Sequence, residues 1–161
     1  MLNEIYMTTI QPIIDYGITV WSTVPKYCIN RIQRLQNFCA RIINNNFDFI
    51  NTRGLDLVKQ MGWMNVVERV DYFTNLLIYK CINQVAPVYL QNEIILCAEI
   101  KKRELRNNKN LDVYIPLTSN GHKDRSIFIR GAKHWNSLPL NIRNSKSLQT
   151  FKYNLKMTYK L

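Results

Sequence analysis

The segment NRIQRLQNFCARII, residues 30–43, carries the clearest helical pattern in the chain. Wound at roughly 100° per residue, it gathers its apolar side chains on one face. That face contains Ile32, Leu35, Phe38, Cys39, Ile42 and Ile43, whereas Gln33, Asn37 and Ala40 fall opposite. Because Asn30 precedes the pattern and asparagine is a favoured N-cap, we predict a helix that begins there and buries the apolar stripe.

Arginines follow a border of this stripe. Arg34 and Arg41 fall almost on one line, with Arg31 nearby. Two interpretations stay open. The arginines form an ordinary solvated flank, which is the simpler account of any one of them, or they form a ridge that contacts the phosphates of a nucleic acid.

Helical patterns continue in both directions from this segment. We predict helices over residues 3–14, 55–61 and 66–83, a short helical piece within residues 87–100, and a C-terminal helix over residues 145–161. Gly17 is a natural end for the first helix, and Asn65 with Glu68 forms the N-x-x-E capping box of the long one. The last helix is capped by Ser145 or Ser147, and its apolar stripe is Leu148, Phe151, Leu155 and Tyr159.

Two tyrosines lie off the main stripe of the long helix. That predicted stripe consists of Val66, Val70, Phe73, Leu77 and Cys81. Tyr72 and Tyr79 are placed either to stack on bases or to pack with their rings against the protein. Packing is the more common arrangement for tyrosines on a helix of this kind, and we predict it here.

Composition changes after residue 100. KKRELRNNKN, residues 101–110, is charged and lacks apolar periodicity, so it predicts a basic, mobile linker. LDVYIPL, residues 111–117, and SIFIRG, residues 126–131, predict two short strands joined by a loop with Asn-Gly at its centre. The predicted fold is thus mainly α with a small β element. A bundle of about four to five helices occupies residues 1–100, and a β-hairpin with a final helix occupies residues 111–161.

The chain is strongly basic, with a formal net charge of +11 over 161 residues. Residues 1–80 carry 8 positive and 6 negative side chains, whereas residues 81–161 carry 14 and 5. A field of this sign attracts phosphates, whether on nucleic acid or on anionic lipid. Charge alone does not choose between such binding and simple solubility.

Residues with catalytic or metal-binding chemistry are scattered. The four cysteines form no C-x-x-C pair, neither His122 nor His134 sits at ligand spacing from a pair of them, and no glycine-rich phosphate loop is present. The carboxylates are dispersed, and only Asp112 and Asp124 would meet, across the predicted hairpin. We therefore expect no independent enzymatic activity, no metal and no cofactor. The N-terminus lacks the pattern of a signal peptide and no apolar run reaches membrane-span length, so an intracellular protein of nucleus or cytoplasm, neither secreted nor membrane-bound, is expected.

Six stretches in a fixed order carry a family resemblance. They are TTIQPIIDYGITVW (8–21), RIQRLQNFCARII (31–43), GLDLVKQMGWMNVVERVDYFTNLLIYKCIN (54–83), APVYL (86–90), RSIFIRGAKHWNSLP (125–139) and SKSLQTFKYNLK (145–156). Together they resemble the thumb and post-polymerase region at the C-terminus of non-LTR, LINE-like retrotransposon reverse transcriptases of the jockey and chicken-repeat type. Each stretch alone is weak, but their order and spacing over nearly the whole chain are fairly specific.

The matching positions can be named individually. They are Pro12, Tyr16, Trp21, Arg31, Gln36, Arg41, Trp63, Glu68, Arg69, Tyr79, Lys80, Trp135, Asn136, Leu138, Pro139, Phe151 and Lys152. Val70 stands where the family often has a second arginine, which weakens any basic doublet there. The Tyr-x-Asp-Asp turn that marks the polymerase site of such enzymes is missing from this sequence.

The resemblance implies a non-catalytic C-terminal fragment of an RNA-directed DNA polymerase that helps to hold template and primer. The expected partners are RNA or an RNA–DNA duplex and the rest of the reverse transcriptase polypeptide. The candidate nucleic-acid contacts are Arg31, Arg34, Arg41, Lys101, Lys102, Arg103, Arg106, Arg125, Arg130, Lys152 and Lys156. The alternative is a structural or interaction fragment, or a decayed element copy, without activity of its own.

The stretch HWNSLP, residues 134–139, looks at first like a small polar site. No acid or cysteine pair near His134 in the sequence completes one. We predict instead a packed corner between the hairpin and the last helix. In it, Trp135 and Leu138 are the apolar members, and Asn136 can make a local side-chain-to-backbone bond that helps to turn the chain before Pro139.

Overall fold

A computed structural model describes residues 1–100, 111–117 and 126–159, and these are mainly helical. They divide into two compact units, of which the first contains Met1–Val70 and the second contains Asp71–Thr158. The predicted linker, residues 101–110, and the predicted hairpin loop lie outside the described residues. The division into domains at that linker stays a prediction.

The first unit is built from five α-helices and one π-helical segment. They are α1 (Leu2–Ile5), the π segment (Tyr6–Ile10), α2 (Gln11–Asp15), α3 (Ile18–Trp21), α4 (Lys26–Asn44) and α5 (Gly54–Gln60). The second unit contains most of α6 (Val66–Ile82), then α7 (Val88–Gln91), α8 (Cys97–Ile100), α9 (Ile127–Ser137), α10 (Leu140–Arg143) and α11 (Leu148–Tyr159). The described residues thus form more helices than the four to five predicted, because several are single turns of four residues.

The predicted N-terminal helix is confirmed, with a π-helical insert in its middle. Widening the turn places Tyr6 and Gln11, five residues apart, on the same side of the helix. The Tyr6 hydroxyl donates to Gln11 Oε1 at 2.8 Å and accepts from Gln36 Nε2 at 3.2 Å. Gly17 follows with φ of +60°, the left-handed conformation that suits glycine after a helix.

Helix α4 begins earlier than predicted, and its buried face is rotated from the predicted one, with Cys39 common to both. It starts at Lys26 after Pro25, so Asn30 lies inside the helix and is not its N-cap. The predicted core residues Leu35, Phe38 and Ile42 are 50%, 50% and 41% exposed. The buried set is Ile29, Gln36, Cys39, Ala40 and Arg41.

Polar partners from distant parts of the chain explain this rotation. Gln36 Nε2 donates to the carbonyl of Met64 at 3.0 Å, and Gln33 Oε1 accepts from the Val66 N–H at 2.8 Å. A buried amide is tolerated when it is hydrogen-bonded in this way. Around them lies the core of the unit, made of Tyr6, Cys39, Ala40, Leu57, Val58 and Trp63, in which the Tyr6 and Trp63 rings stack at 4.0 Å.

The predicted capping box is confirmed at the start of α6. The Glu68 N–H donates to Asn65 Oδ1 at 2.9 Å, and the Asn65 N–H donates to Glu68 Oε2 at 2.8 Å. Arg69 follows and donates from Nε to Asp15 Oδ1 at 2.7 Å, while its Nη2 also meets the same carboxylate. Two residues on which the sequence resemblance rests, Glu68 and Arg69, therefore serve to start α6 and to connect it to α2.

The core of the second unit is aromatic. Tyr79 stacks on Phe151 with ring centroids 4.3 Å apart, and Trp135 lies 5.8 Å from Phe151. Tyr72 and Tyr79 are both buried, which confirms the predicted packing of these rings, whereas Phe73 and Leu77 of the predicted stripe are only partly buried. Phe151 and Leu155 are fully buried, as the α11 stripe predicts, and Ser147 Oγ caps that helix by accepting from the Thr150 N–H at 3.1 Å.

The predicted strand over residues 126–131 is wrong, because these residues begin α9. Gly131 and Ala132 let this helix approach α6 closely, since a Cβ on Gly131 would lie 2.9 Å from Ile78 Cδ1. Residues 111–117 form no strand either. Val113 makes one antiparallel bridge, and its partner is Leu96, upstream, instead of the expected hairpin strand.

The HWNSLP stretch is packed, as predicted, but through different contacts. Trp135 is fully buried, and its indole N–H donates to the Leu111 carbonyl at 2.8 Å. Asn136 makes no local turn bond. Its side chain accepts from the Val113 N–H at 2.9 Å and donates to the Val113 carbonyl at 2.8 Å, in the way that a neighbouring strand would. His134 does have an acid beside it, because its Nε2 lies 3.3 Å from Asp71 Oδ1.

Candidate nucleic-acid interface

A groove of about 290 Å³ runs between α4 and the loop that follows it. It is lined by Arg34, Asn37, Phe38, Arg41, Phe49 and Gly54, all within the first unit. We call it the α4 groove. It combines exposed Arg34 with two aromatic rings, and proteins use basic and aromatic side chains together to bind nucleic acid strands.

Arg41 holds the loop on one side of this groove through hydrogen bonds to the backbone. Its Nη1 donates to the carbonyl of Asp48 at 2.9 Å and to that of Asn46 at 3.4 Å, and its Nη2 donates to the carbonyl of Thr52 at 2.5 Å. The planar fork of a guanidinium suits such simultaneous contacts. Arg41 is buried, so within the predicted arginine ridge it acts as an anchor of the loop and not as an exposed contact.

The loop presents Phe49 over this anchor. The Arg41 guanidinium carbon lies 4.4 Å from the centroid of the Phe49 ring, a cation–π contact that holds the ring in place. Phe49 nevertheless stays 66% exposed. Phe38, on α4 one turn after Arg34, supplies the second exposed ring.

A tight turn within the loop fixes the position of Phe49 further. The Asp48 carboxylate accepts from the N–H groups of Asn51 at 2.9 Å and Ile50 at 3.0 Å, and from the Asn51 side-chain amide at 2.9 Å. These bonds to Asn51 favour the ionised form and lower the pKa of Asp48 below its usual value. The Asp48 carboxylate therefore stabilises the turn that contains Phe49.

The floor of the groove depends on a glycine. A Cβ on Gly54 would lie 2.6 Å from Asn37 Cβ, so only glycine lets the start of α5 come this close to α4. Asn37 is itself oriented by Gln33, whose Nε2 donates to Asn37 Oδ1 at 2.8 Å. Asn37 also lines the groove.

The other predicted contacts lie in several places. Arg31 is exposed on α4 beside Arg34, whereas Arg130, Lys152 and Lys156 belong to the second unit. Arg130 is half-buried, and burial lowers its pKa while the charge of Asp71 opposes that effect. Lys101, Lys102, Arg103, Arg106 and Arg125 lie outside the described residues. The structure thus brings Arg34 and Arg41 to one groove, and Arg31 is not among the residues that line it.

The residues on which the sequence resemblance rests mostly support the fold. Trp21 donates its indole N–H to the Tyr16 carbonyl at 3.1 Å, and the ring of Tyr16 is exposed. Pro139 precedes α10 as its N-cap. Trp63, Glu68, Arg69, Trp135, Asn136 and Phe151 make the packing and hydrogen-bond contacts given above.

Sequence reasoning missed Phe49 and Asn37, and it assigned Phe38 to the core. A signal for Phe49 is present in NNNFDFIN, residues 44–51, where two phenylalanines stand in an otherwise mostly polar loop. Large apolar residues in a loop without periodicity have no helix face to bury them. This pattern therefore indicates that the rings of Phe47 and Phe49 are exposed, as they are in the structure.

Groups with reactive chemistry are few in the described parts of the chain. There, no three His, Cys, Asp or Glu side chains come together as metal ligands would. Burial raises the pKa of the Cys39 and Cys81 thiols. Asp112 pairs with Arg143, while its suggested partner Asp124 lies outside the described residues. None of the described helices is both long and apolar enough to cross a membrane.

Comparison of the chain with protein-family models, with curated proteins and with solved structures finds no match.

Proposed function

We propose that this chain binds nucleic acid as the non-catalytic C-terminal part of a retrotransposon reverse transcriptase, where it helps to hold template and primer. The observation that carries the binding half of this proposal is the α4 groove, which sets exposed Arg34 beside the rings of Phe38 and Phe49. The link to reverse transcriptases rests on the ordered sequence resemblance. RNA and RNA–DNA hybrids are the partners that follow from it.

Charge supports the same proposal. The net charge of +11 creates a positive field that draws a polyanion toward the chain before any specific contact forms. Arg31 and Arg34 extend from one side of α4, one turn apart, and neither is buried. They can follow neighbouring phosphates, because a strand places its phosphates several ångströms apart along its length.

We expect the chain to bind single-stranded RNA and an RNA–DNA duplex with affinity that falls steeply as salt rises. Each phosphate contact released by salt contributes a slope of about −0.7 in log K against log salt for single strands. Replacing Arg31 and Arg34 together by alanine should reduce the slope by about 1.4 units. Fluorescence anisotropy over a salt series measures this directly.

Lys59→Ala is the matched control, because Lys59 is exposed on α5 and does not line the groove. It should change the slope less than the arginine pair does. Absence of binding at low salt, or an affinity independent of salt, would remove the proposed binding function. The family assignment has a separate test, which is whether a Tyr-x-Asp-Asp turn is encoded in frame upstream of Met1 in the genome.

A second candidate, a protein-interaction surface, is favoured by the exposed apolar residues of α4. Leu35 and Ile42 lie two turns apart with Phe38 between them, and all three are about half-exposed. Contiguous apolar surface of this kind marks contacts with other proteins or self-association. It lies on the same helix as the arginines but includes no charged side chain of its own.

We expect the double substitution Leu35→Glu, Ile42→Glu to abolish self-association at high protein concentration if this second function holds. Negative charges on the stripe would repel a second copy and cost desolvation in any apolar interface. Sedimentation velocity of the native and doubly substituted chains gives the answer. A native chain that remains monomeric over the whole concentration range would speak against self-association.

A further inference from the structure

We infer that the α4 groove takes an unpaired nucleotide of a single strand, with its base stacked on Phe49 and its phosphate on Arg34. This rests on the proposed function and names the form of nucleic acid that this site accepts. It also predicts that a duplex of the same sequence does not use the groove.

The exposure of the rings selects for an unpaired base. Inside a duplex, both faces of each base are covered by the bases above and below it, so a protein ring cannot stack on them. The faces of an unpaired base are open, and stacking on an aromatic side chain is the usual way in which proteins hold such a base. Phe38 and Phe49 offer rings about half- and two-thirds exposed, at 50% and 66%, in a groove of about 290 Å³.

Phe49 is held ready for stacking before any ligand arrives. One face of its ring meets the Arg41 guanidinium at 4.4 Å, and Arg41 is fixed in turn by carbonyls of the loop. A base on the open face would extend this stack of guanidinium and ring. Because the ring is already oriented, little side-chain entropy is lost on binding.

The charges around the groove place the phosphate near Arg34. Arg34 is exposed at the edge of the groove, whereas the guanidinium of Arg41 is buried beneath the loop. The Asp48 carboxylate is held in the same loop by its hydrogen bonds from Asn51, and its negative charge repels a phosphate from the tip of the loop. Asn37, whose Oδ1 accepts from Gln33 Nε2 at 2.8 Å, also lines the groove, where its side chain can contact the base or sugar.

The test uses the whole chain and two probes of the same sequence. One is a uridine oligomer of about 12 nucleotides with a single 2-aminopurine at its centre, and the other is that strand in a blunt RNA duplex. Phe49→Ala should weaken single-strand binding about tenfold, since stacking contributes about 1–3 kcal/mol per base. It should leave duplex binding within about twofold and abolish the 2-aminopurine quenching that the native chain produces.

Two further variants control for the loop itself. Phe47→Ala removes a ring that is 52% exposed in the same loop but does not line the groove, and it should leave single-strand affinity nearly unchanged. Phe49→Trp should restore both the affinity and the quenching, because tryptophan keeps a ring for the base. Thermal melting of each variant shows whether the fold is intact.

The outcomes separate this inference from the proposed function. Three results would overturn the stacking site while leaving salt-dependent binding intact. The first is an equal loss of single-strand affinity from Phe47→Ala and Phe49→Ala, and the second is an equal loss of duplex affinity from Phe49→Ala. The third is no effect of Phe49→Ala on single-strand affinity. Failure of the native chain to bind either probe at low salt would overturn both. Binding of proteins and not of oligonucleotides would point to the apolar stripe of Leu35 and Ile42.

Discussion

Trp135→Ala is expected to destabilise the second unit by about 3–5 kcal/mol, the cost of removing a fully buried large aromatic side chain. The indole centroid lies 5.8 Å from that of Phe151 and 6.4 Å from that of Tyr79, so its loss leaves a cavity beside two aromatic rings. The Leu111 carbonyl also loses its hydrogen bond from the indole N–H. This cost is comparable with the whole stability of a small domain.

Hydrogen exchange of amides in α9 and α11 measures the effect within that unit, and urea denaturation measures it for the chain. His134→Ala is the matched control from the neighbouring position. The contact between its Nε2 and Asp71 Oδ1 at 3.3 Å is partly solvent-exposed, so its loss should cost less than about 1 kcal/mol. The packing role assigned to this corner is contradicted if His134→Ala destabilises as much as Trp135→Ala, or if the tryptophan variant retains native protection.

Helix boundaries that depend on neighbouring residues could be predicted from the sequence. The reciprocal bonds of Asn65 and Glu68 and the cap of Ser147 involve residues three positions apart, so the short pattern contains all the partners. The apolar stripe of α11 was predicted for a similar reason, because its members recur at helical spacing within one short segment, and Phe151 and Leu155 of that stripe are buried.

The orientation of α4 could not be predicted in this way. Periodicity assigned Leu35, Phe38 and Ile42 to the core, whereas Gln36 and Ala40 occupy it. Gln36 is held by Tyr6 and the Met64 carbonyl, and Gln33 is held by the Val66 N–H. These partners are about 30 residues away in the chain, so a pattern read over one helix does not include them. The start of α9 was predicted as a strand because its apolar residues alternate, but these residues form a helix that approaches α6 closely at Gly131. That approach joins residues far apart in the chain, so a short sequence pattern does not contain it.

The same distinction applies to the candidate site. Arg34 was recognised because a cation on a helix border is visible from spacing. Phe49 was not, because its role depends on the loop that Arg41 closes, and the three carbonyls involved lie five, seven and eleven residues after that arginine. Sequence reasoning therefore treated Arg34 and Arg41 as equivalent, although the structure gives them different surroundings.

Arg41→Ala is expected to destabilise the first unit by about 2–4 kcal/mol and to reduce single-strand binding as a consequence. The substitution leaves the carbonyls of Asn46, Asp48 and Thr52 without their charged donor and removes the guanidinium under the Phe49 ring. Arg41→Lys should recover only part of the stability, since an ammonium group cannot reproduce the planar fork. Hydrogen exchange in α4 and α5, together with denaturant unfolding, measures the loss.

Arg34→Ala is the matched comparison, because the two arginines lie on the same helix and line the same groove. Arg34 is exposed, so its removal should change the stability by less than about 0.5 kcal/mol while it weakens binding to the single strand. The pair separates an arginine that builds the groove from one that contacts the ligand. Equal stability of both variants, with equal losses of affinity, would mean that Arg41 also reaches the phosphates and that the loop is held by other contacts.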